Sequence, residues 1–325
     1  MNKRNINLDL IKIIACIGVV GLHAVGMRNY TIYYLCDFSV PLFFMVNGYL
    51  LLPRENINYS YAFHKIFHIL KIVFGWNLLI TIPVFIFRYK IVNPLRLSMD
   101  SLLQKGYLWH FWFFGALILI YLFLPIFHRL FFLKNHSRRM ACIFFMCICL
   151  CINIFSIIMG YPLHMFVPQS LRLWTWSFYF LMGGLIAAAA SKIYLLPAWA
   201  HGILLLLFTF INNFSEKKIG LYLIKSRLAE YFYDDLTSII WYILLFIFLL
   251  RLPIKEKFSA FIADISSLTM GIFIIHPILL AVLDRIYTPT GTISVLIFWA
   301  ALTLVSLGIT YIMSKTPVIK TFIRL

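Results

Sequence analysis

Three ionisable side chains interrupt an otherwise apolar segment, LDLIKIIACIGVVGLHAVG, which covers residues 8–26. They are Asp9, Lys12 and His23. On an α-helix the eleven steps from Lys12 to His23 turn about 1,100°, close to three full turns, and Asp9 joins the same face from one turn earlier. Charged groups in a membrane-spanning helix usually face a bundle interior or a water-filled cavity. The spacing therefore predicts a polar stripe that contains an Asp9–Lys12 ion pair and faces one interior cavity.

A histidine inside such a helix is suited to proton transfer, because imidazole titrates near neutral pH. Acyl transfer to a hydroxyl requires a base, since a neutral alcohol is a poor nucleophile. His23 is the candidate base, and Asp9 or a backbone carbonyl is expected to fix its tautomer. His276 and Asn47 are candidate hydrogen-bond donors to the developing oxyanion. Direct transfer and a covalent acyl-histidine both fit these residues.

Other apolar segments also contain polar residues. Asn47 lies in DFSVPLFFMVNGYLL, and His110 lies beside Trp112 in GYLWHFWFFGALILIYLFLPIF. His276 directly precedes a proline in LTMGIFIIHPILL, where the ring removes a helical hydrogen bond and frees a carbonyl. A structural interpretation also fits: each histidine then bonds a neighbouring carbonyl, and the charged pair of the first segment sits at the membrane interface.

The composition places these segments in a membrane. Of 325 residues, 63% are hydrophobic and only 12% are charged, with a mean hydropathy of +0.93, whereas soluble domains have about 25% charged residues. The net charge of +17 is typical of loops that orient a polytopic chain, and no nucleic-acid partner is expected. The six cysteines mostly lie in apolar runs and indicate small buried side chains, so neither disulfides nor a metal site is predicted.

The apolar runs predict an all-α integral membrane protein with a bundle of about ten transmembrane helices. The predicted spans are residues 8–26, 35–52, 66–87, 108–128, 140–159, 172–190, 194–211, 235–250, 265–283 and 292–312. Basic residues are more numerous on the side of the N-terminus, which predicts that both termini are cytoplasmic. Residues 1–325 are expected to form a single domain, with the first helix retained rather than cleaved as a signal.

In the segments that contain these polar residues, the chain resembles the membrane acyltransferase 3 family. Members of this family are ten-helix O-acyltransferases that modify bacterial surface glycans. The family's first helix has an aspartate, an arginine three residues later and a histidine eleven further; Asp9, Lys12 and His23 hold those places. FFMVNGYLL resembles the family's FF-x-x-SG-aromatic signature, WHFWFFGALILIYLFLPIF its HLWFL helix, and GIFIIHPIL its YLIHP stretch. Lys12 keeps the charge of the arginine but loses its bidentate fork. Asn47 replaces a serine, so no acyl-carrying hydroxyl exists there.

The resemblance implies cytoplasmic acetyl-coenzyme A (acetyl-CoA) as the donor, whose phosphates need basic partners. The predicted donor-binding residues are Arg54, Lys65, His68 and Lys71. A purely topological role for these charges is the alternative. The predicted substrate-binding residues are Lys12, Asn47, His110 and Trp112, and the predicted catalytic residues are His23, Asp9 and His276.

These features together predict a multi-pass O-acetyltransferase of the bacterial inner membrane, surrounded by membrane lipids. It would acetylate a sugar hydroxyl of a surface polysaccharide or of its lipid-linked precursor. The chain is similar to family members that act on enterobacterial common antigen or O-antigen, and it is expected to work without the hydrolase-like domain of larger members. A transporter or flippase is the alternative, because intramembrane ionisable groups also form proton relays. A glycan polymerase is the third candidate, although its large external loop would have to lie in residues 212–234.

Overall fold

The computed structural model describes residues 4–132, 135–192 and 195–324. Within these ranges the chain forms α-helices joined by short turns and single helical turns, and no strand occurs. In chain order the helices are α1 (Ile6–Val25), α2 (Tyr30–Tyr34), α3 (Ser39–Leu51), α4 (Tyr59–Arg88), α5 (Pro94–Leu102), α6 (Trp112–Phe132), α7 (Asn135–Met159), α8 (Leu173–Ala188), α9 (Ala198–Lys218), α10 (Leu236–Leu250), α11 (Ser259–Ser266), α12 (Thr269–Leu283), α13 (Thr292–Ser314) and α14 (Pro317–Lys320).

Within the described residues, every predicted span overlaps one of the helices α1, α3, α4, α6, α7, α8, α9, α10, α12 and α13. Among the described residues, seven helical stretches are long and apolar enough to cross a membrane. An eighth forms if Glu256–Ser266 and Thr269–Leu283, which meet at an angle of 50°, are one span. Helices α8 and α10 are apolar but contain only 16 and 15 residues. The chain is therefore a multi-pass helical membrane protein, while the number of ten spans and the orientation stay predictions. Tyr194, where one predicted span begins, lies outside the described residues.

The bundle has an interior and a lipid-facing exterior. Helices α3 and α8 bury most of their side chains, including aromatic residues such as Phe44 and Trp176, whose rings stack at 4.7 Å. Helices α7, α9 and α13 instead leave apolar side chains exposed, such as Phe144 and Phe210. A helix satisfies its own backbone hydrogen bonds, so apolar side chains can face hydrocarbon on these outer helices. Helices α1, α3, α6 and α12 surround the interior space described below.

Two glycines let α3 and α8 approach each other closely. A Cβ at Gly48 would lie 1.7 Å from the carbonyl oxygen of Phe180, and one at Gly183 would lie 1.9 Å from that of Met45. Small residues are used at membrane helix interfaces because they allow backbones to come near. This contact fixes α3, and with it Asn47, against the centre of the bundle.

We expect Gly48→Ala to lower the melting temperature of the detergent-purified protein, because the added methyl group overlaps the backbone of α8. Gly308→Ala is the matched control: it makes the same change inside α13, where a Cβ meets nothing within 4 Å. Alanine is favoured over glycine in a helix by roughly 0.5–1 kcal/mol, so the control should be neutral or stabilising. Equal melting temperatures for the two variants would contradict the close α3–α8 contact.

Candidate active site

Three histidines from distant parts of the chain cluster near the C-terminal end of α1. The rings of His23 and His276 have centroids 5.2 Å apart, and His110 lies 6.3 Å from His276. His110 and His276 are buried, whereas His23 is partly exposed. Helix α1, the turn before α6 and helix α12 thus bring together the histidines that the sequence singled out.

The hydrogen bond of His276 defines what its ring can do. Its Nδ1 lies 2.9 Å from the carbonyl oxygen of Ile272. Because a carbonyl oxygen only accepts, Nδ1 carries the proton and the neutral ring has a lone pair on Nε2. That Nε2 makes no hydrogen bond to a described residue. Neutral His276 can therefore accept a hydrogen bond through Nε2 but cannot donate one, which argues against its predicted role as an oxyanion donor.

A cavity of about 340 Å³ adjoins His23 and is named the histidine recess. Its polar and aromatic lining among the described residues consists of His23, Gln104, Trp109, His110, Trp112, Gln169, Tyr33, Tyr233, Glu230, Phe43, Phe113 and Phe273. The Trp109 ring stands edge-on to the His23 ring at 5.2 Å. Two predicted substrate-binding residues, His110 and Trp112, lie here. Gln104, Gln169 and Glu230 were not predicted from the sequence, because they lie on loops without a periodic pattern.

A larger cavity of about 990 Å³ lies at the N-terminal end of α1 and is named the basic cavity. Five basic side chains line it: Arg4, Lys12, Arg54, Lys65 and Arg324. Asp9 is the acidic residue among the described lining residues. The volume lies at the upper end of the roughly 300–1,000 Å³ typical of small-molecule sites. Size and charge together suit a large polyanionic ligand.

Asp9 organises one wall of the basic cavity. It accepts hydrogen bonds from Arg4 Nε at 2.5 Å, Ser266 Oγ at 2.8 Å and Lys12 Nζ at 3.3 Å, so the predicted ion pair with Lys12 is confirmed. The hydrogen bond to Asp9 also raises the pKa of Arg4. Fourteen residues of helix, a rise of about 21 Å, separate Asp9 from His23. The prediction that Asp9 fixes the tautomer of His23 is therefore wrong.

Asn47 also belongs to the basic cavity. Its Nδ2 donates to the carbonyl oxygen of Phe43 at 2.9 Å, and its Oδ1 accepts from the Tyr121 hydroxyl at 3.1 Å. Lys12 and Asn47 thus lie in a different cavity from His110 and Trp112, with which they were grouped. The prediction that Asp9, Lys12, His23 and His276 face one cavity is wrong for Asp9 and Lys12, because a common helix face does not place side chains at one depth. The predicted closeness of His23 and His276 is confirmed.

One layer of aromatic side chains separates the two cavities. Phe43 of α3, Phe113 of α6 and Phe273 of α12 line both of them. The ring centroids of Phe43 and Phe113 are 5.8 Å apart, and those of Phe113 and Phe273 are 5.5 Å apart. These three residues are named the aromatic partition. The basic cavity and the recess that holds His23 are therefore adjacent, with the same three side chains in both linings.

The predicted donor-binding residues are divided between the basic cavity and the C-terminal segment. Arg54 and Lys65 line the cavity. His68 Nε2 instead bonds the carbonyl oxygen of Arg324 at 2.9 Å, and Lys71 lies over the Phe322 ring at 5.5 Å. His68 and Lys71 are therefore absent from the described cavity lining, because their face of α4 packs against the chain after α14. The same packing brings Arg324 to the cavity, which no spacing rule could have indicated.

Comparison with known proteins identifies the family. A family model described as an acyltransferase domain matches residues 5–315. The chain belongs to the membrane acyltransferase 3 family. The acyltransferase 3 chain is also 25% identical over 320 residues to an amino-acid racemase of Enterococcus faecalis, with 88% of this chain and 42% of that protein covered. It thus spans less than half the length of this curated relative. No solved structure matches it.

A membrane acyltransferase needs a donor site, an acceptor site and a proton acceptor between them. In this acyltransferase 3 family member, the basic cavity, the aromatic partition and the histidine recess follow one another along α1. The family match favours acyl transfer over the transporter and polymerase alternatives.

Proposed function

We propose that this acyltransferase transfers an acetyl group from acetyl-CoA in the basic cavity to a sugar hydroxyl in the histidine recess. The observation that carries the proposal is that the three residues of the aromatic partition line both a basic cavity and a recess containing His23. We place the protein in the bacterial inner membrane, among its lipids, with the basic cavity towards the cytoplasm. The acceptor would be a surface polysaccharide or its lipid-linked precursor.

The charge of the basic cavity supports a phosphate-bearing donor. Phosphate oxygens form strong, charge-assisted hydrogen bonds with arginine and lysine side chains. Arg54, Lys65 and Arg324 are not paired with Asp9, which binds Arg4 and Lys12. In the proposed complex the phosphates stay among these side chains, and the uncharged arm of the donor carries the acetyl thioester to the partition.

The chemistry assigned to the recess is general-base acyl transfer. His23 takes the proton of the sugar hydroxyl, and the hydroxyl oxygen attacks the thioester carbonyl carbon. The carbon–sulfur bond then breaks, and the departing thiolate receives the proton as the acetyl ester forms. His276 lies against His23 with a free lone pair on Nε2, so it is suited to accept a hydrogen bond that orients the His23 ring. A covalent acyl-histidine would use the same two side chains.

The experiment that tests the function is mass spectrometry of surface glycans from three isogenic strains. One strain has the gene, one lacks it, and one carries the His23→Ala variant. We expect an acetyl ester on a glycan of the first strain alone. Identical acetylation in all three strains would refute the proposed function.

We expect Lys65→Ala to weaken the binding of acetyl-CoA about tenfold, because it removes one charge-assisted contact with a phosphate. The affinity of the variant should also fall less steeply with added salt, since salt screens the lost ion pair. Lys71→Ala is the matched control, because Lys71 lies on the same helix but contacts Phe322. Isothermal titration calorimetry at several salt concentrations measures the affinity of each variant for acetyl-CoA. Equal losses would show that general surface charge, rather than the basic cavity, attracts the donor.

A further inference from the structure

Three loops meet at the histidine recess, and their amide and carboxylate side chains there are Gln104, Gln169 and Glu230. The amide nitrogens of both glutamines donate to one carboxylate oxygen of Glu230, at 3.4 Å from Gln104 and at short range from Gln169. Gln104 Oε1 accepts from the backbone N–H of Gln169 at 2.9 Å. The three side chains therefore form one connected hydrogen-bonded group.

A buried arginine holds this group in place. The guanidinium of Arg172 donates to the carbonyl oxygens of Glu230 at 2.8 Å, His164 at 3.0 Å and Val167 at 3.0 Å. Its Nη2 also lies 3.6 Å from the Glu230 carboxylate. The loop before α8 and the loop before α10 are thus tied together at the backbone. Such bracing keeps the Glu230 side chain at the recess when no ligand is present.

A buried hydrogen bond strengthens the same connection between the two loops. His164 Nε2 lies 2.8 Å from Asp234 Oδ2, which also accepts from Trp174 Nε1 at 2.8 Å. Burial is the largest influence on the pKa of Asp234 and would raise it, but the hydrogen bond and charge of His164 and the hydrogen bonds from Thr175 and Trp174 together hold the pKa below its usual value. The Asp234 carboxylate therefore stays charged at neutral pH and remains bonded. Glu230 lies only four residues away on the loop that this pair fixes.

Trp109 provides an aromatic surface between this polar group and the base. Its side chain is 37% exposed, and its ring contacts His23 at 5.2 Å. Tryptophan combines a large apolar face with low conformational freedom, which suits it to the C–H face of a sugar ring. The carboxylate and amides of Glu230, Gln104 and Gln169 both accept from and donate to hydroxyl groups. A sugar stacked on Trp109 would have its hydroxyls within reach of both the polar group and His23.

We infer that Trp109, Gln104, Gln169 and Glu230 form the acceptor subsite, which binds one sugar ring that carries no acidic group. The inference rests on the proposed function. Glu230 is the acidic residue among the described lining residues of the recess, so it repels a uronic acid or a sugar phosphate. At about 340 Å³ the recess is near the lower end of ligand sites, which suits one terminal ring.

The direct test measures sugar binding without the donor. Saturation-transfer NMR in detergent would use methyl hexosides, methyl N-acetylhexosaminides and methyl hexuronides as probes. We expect transfer to at least one uncharged glycoside, none to the hexuronides, and loss of the signal in Trp109→Ala. Trp109→Phe keeps an aromatic face and should retain the signal. This variant therefore distinguishes loss of the aromatic surface from misfolding of the protein. Equal signals for wild type and Trp109→Ala would overturn the subsite.

The kinetic test uses Glu230→Gln, which removes the charge and keeps the shape. We expect its acceptor KM to rise about tenfold, with the affinity for acetyl-CoA unchanged, and its discrimination against hexuronides to fall. Glu256→Gln, at an exposed position near α11, is the matched control. Unchanged KM and discrimination in Glu230→Gln would overturn the subsite while leaving the proposed function standing. If wild type acetylates no glycan, the proposed function fails, and the NMR experiment still decides the subsite.

Discussion

His23→Ala should abolish acetyl transfer while the protein remains folded and membrane-inserted. General-base catalysis commonly contributes about 10²- to 10⁴-fold to a rate, and His23 is the proposed base. Its side chain lines the histidine recess and is partly exposed, so truncation enlarges an existing cavity instead of opening a gap in the packed core. An imidazole also contributes little to insertion of an apolar helix. The measurement is acetyl transfer from acetyl-CoA by the purified variant.

Two further variants make this result specific. His23→Gln should fail similarly, because glutamine forms hydrogen bonds but cannot take up the proton. His201→Gln is the control, since His201 is also a buried intramembrane histidine but bonds the carbonyl oxygen of Leu244, away from the recess. It should retain transfer even if stability falls. A near wild-type rate in His23→Ala would place the base elsewhere, and His276 would then be examined first.

Replacing both Phe113 and Phe273 by leucine should raise the hydrolysis of acetyl-CoA in the absence of a sugar. The two rings separate the cavities, and leucine at both positions leaves space through which water can reach the thioester and His23. Exclusion of water is a general means by which enzymes prevent hydrolysis of reactive groups. We expect the ratio of hydrolysis to transfer to rise on the order of tenfold, which corresponds to about 1.4 kcal/mol. Release of the free thiol with and without acceptor measures both reactions.

The control for this double variant is Phe144→Leu on the exposed side of α7, which makes the same chemical change away from the partition. It should leave the ratio unchanged. If the double variant also behaves like wild type, the rings do not form the barrier between donor and water. Phe43 would then be the remaining member of the aromatic partition to replace.

The helices were predictable because a membrane span requires a long apolar run, and such runs are visible in a single sequence. Within the described residues, each of the ten predicted segments overlaps a helix for this reason. Whether α8 and α10 cross completely was not decided by the same reasoning, because 16 and 15 residues extend only about 24 and 22 Å. Their burial among other helices depends on tertiary packing, which local hydropathy does not describe.

The site was predictable only in part. Helical spacing placed Lys12 and His23 on one face, but it could not show that Phe43, Phe113 and Phe273 fill the space between their depths. Charge alone selected Lys71 together with Lys65, although packing against Phe322 turns Lys71 away from the cavity.

The proximity of the loop residues in the proposed acceptor subsite could not be predicted from the sequence. Gln104, Gln169 and Glu230 meet only because three loops fold over the end of α1. Residues far apart in sequence that lack a helical or strand period give no signal of their proximity.

The placement of charge in the two cavities bears on the membrane potential. Moving one elementary charge through 100 mV changes the free energy by about 2.3 kcal/mol. The basic side chains of the proposed donor site lie at one end of α1, on one side of the aromatic partition. A donor whose phosphates stay there sends only a neutral acetyl group across, and the proton lost by the hydroxyl is regained by the thiol. Acetylation by this route is electroneutral, so a cell could modify its glycans without drawing on the potential, and would continue to do so in a de-energised membrane.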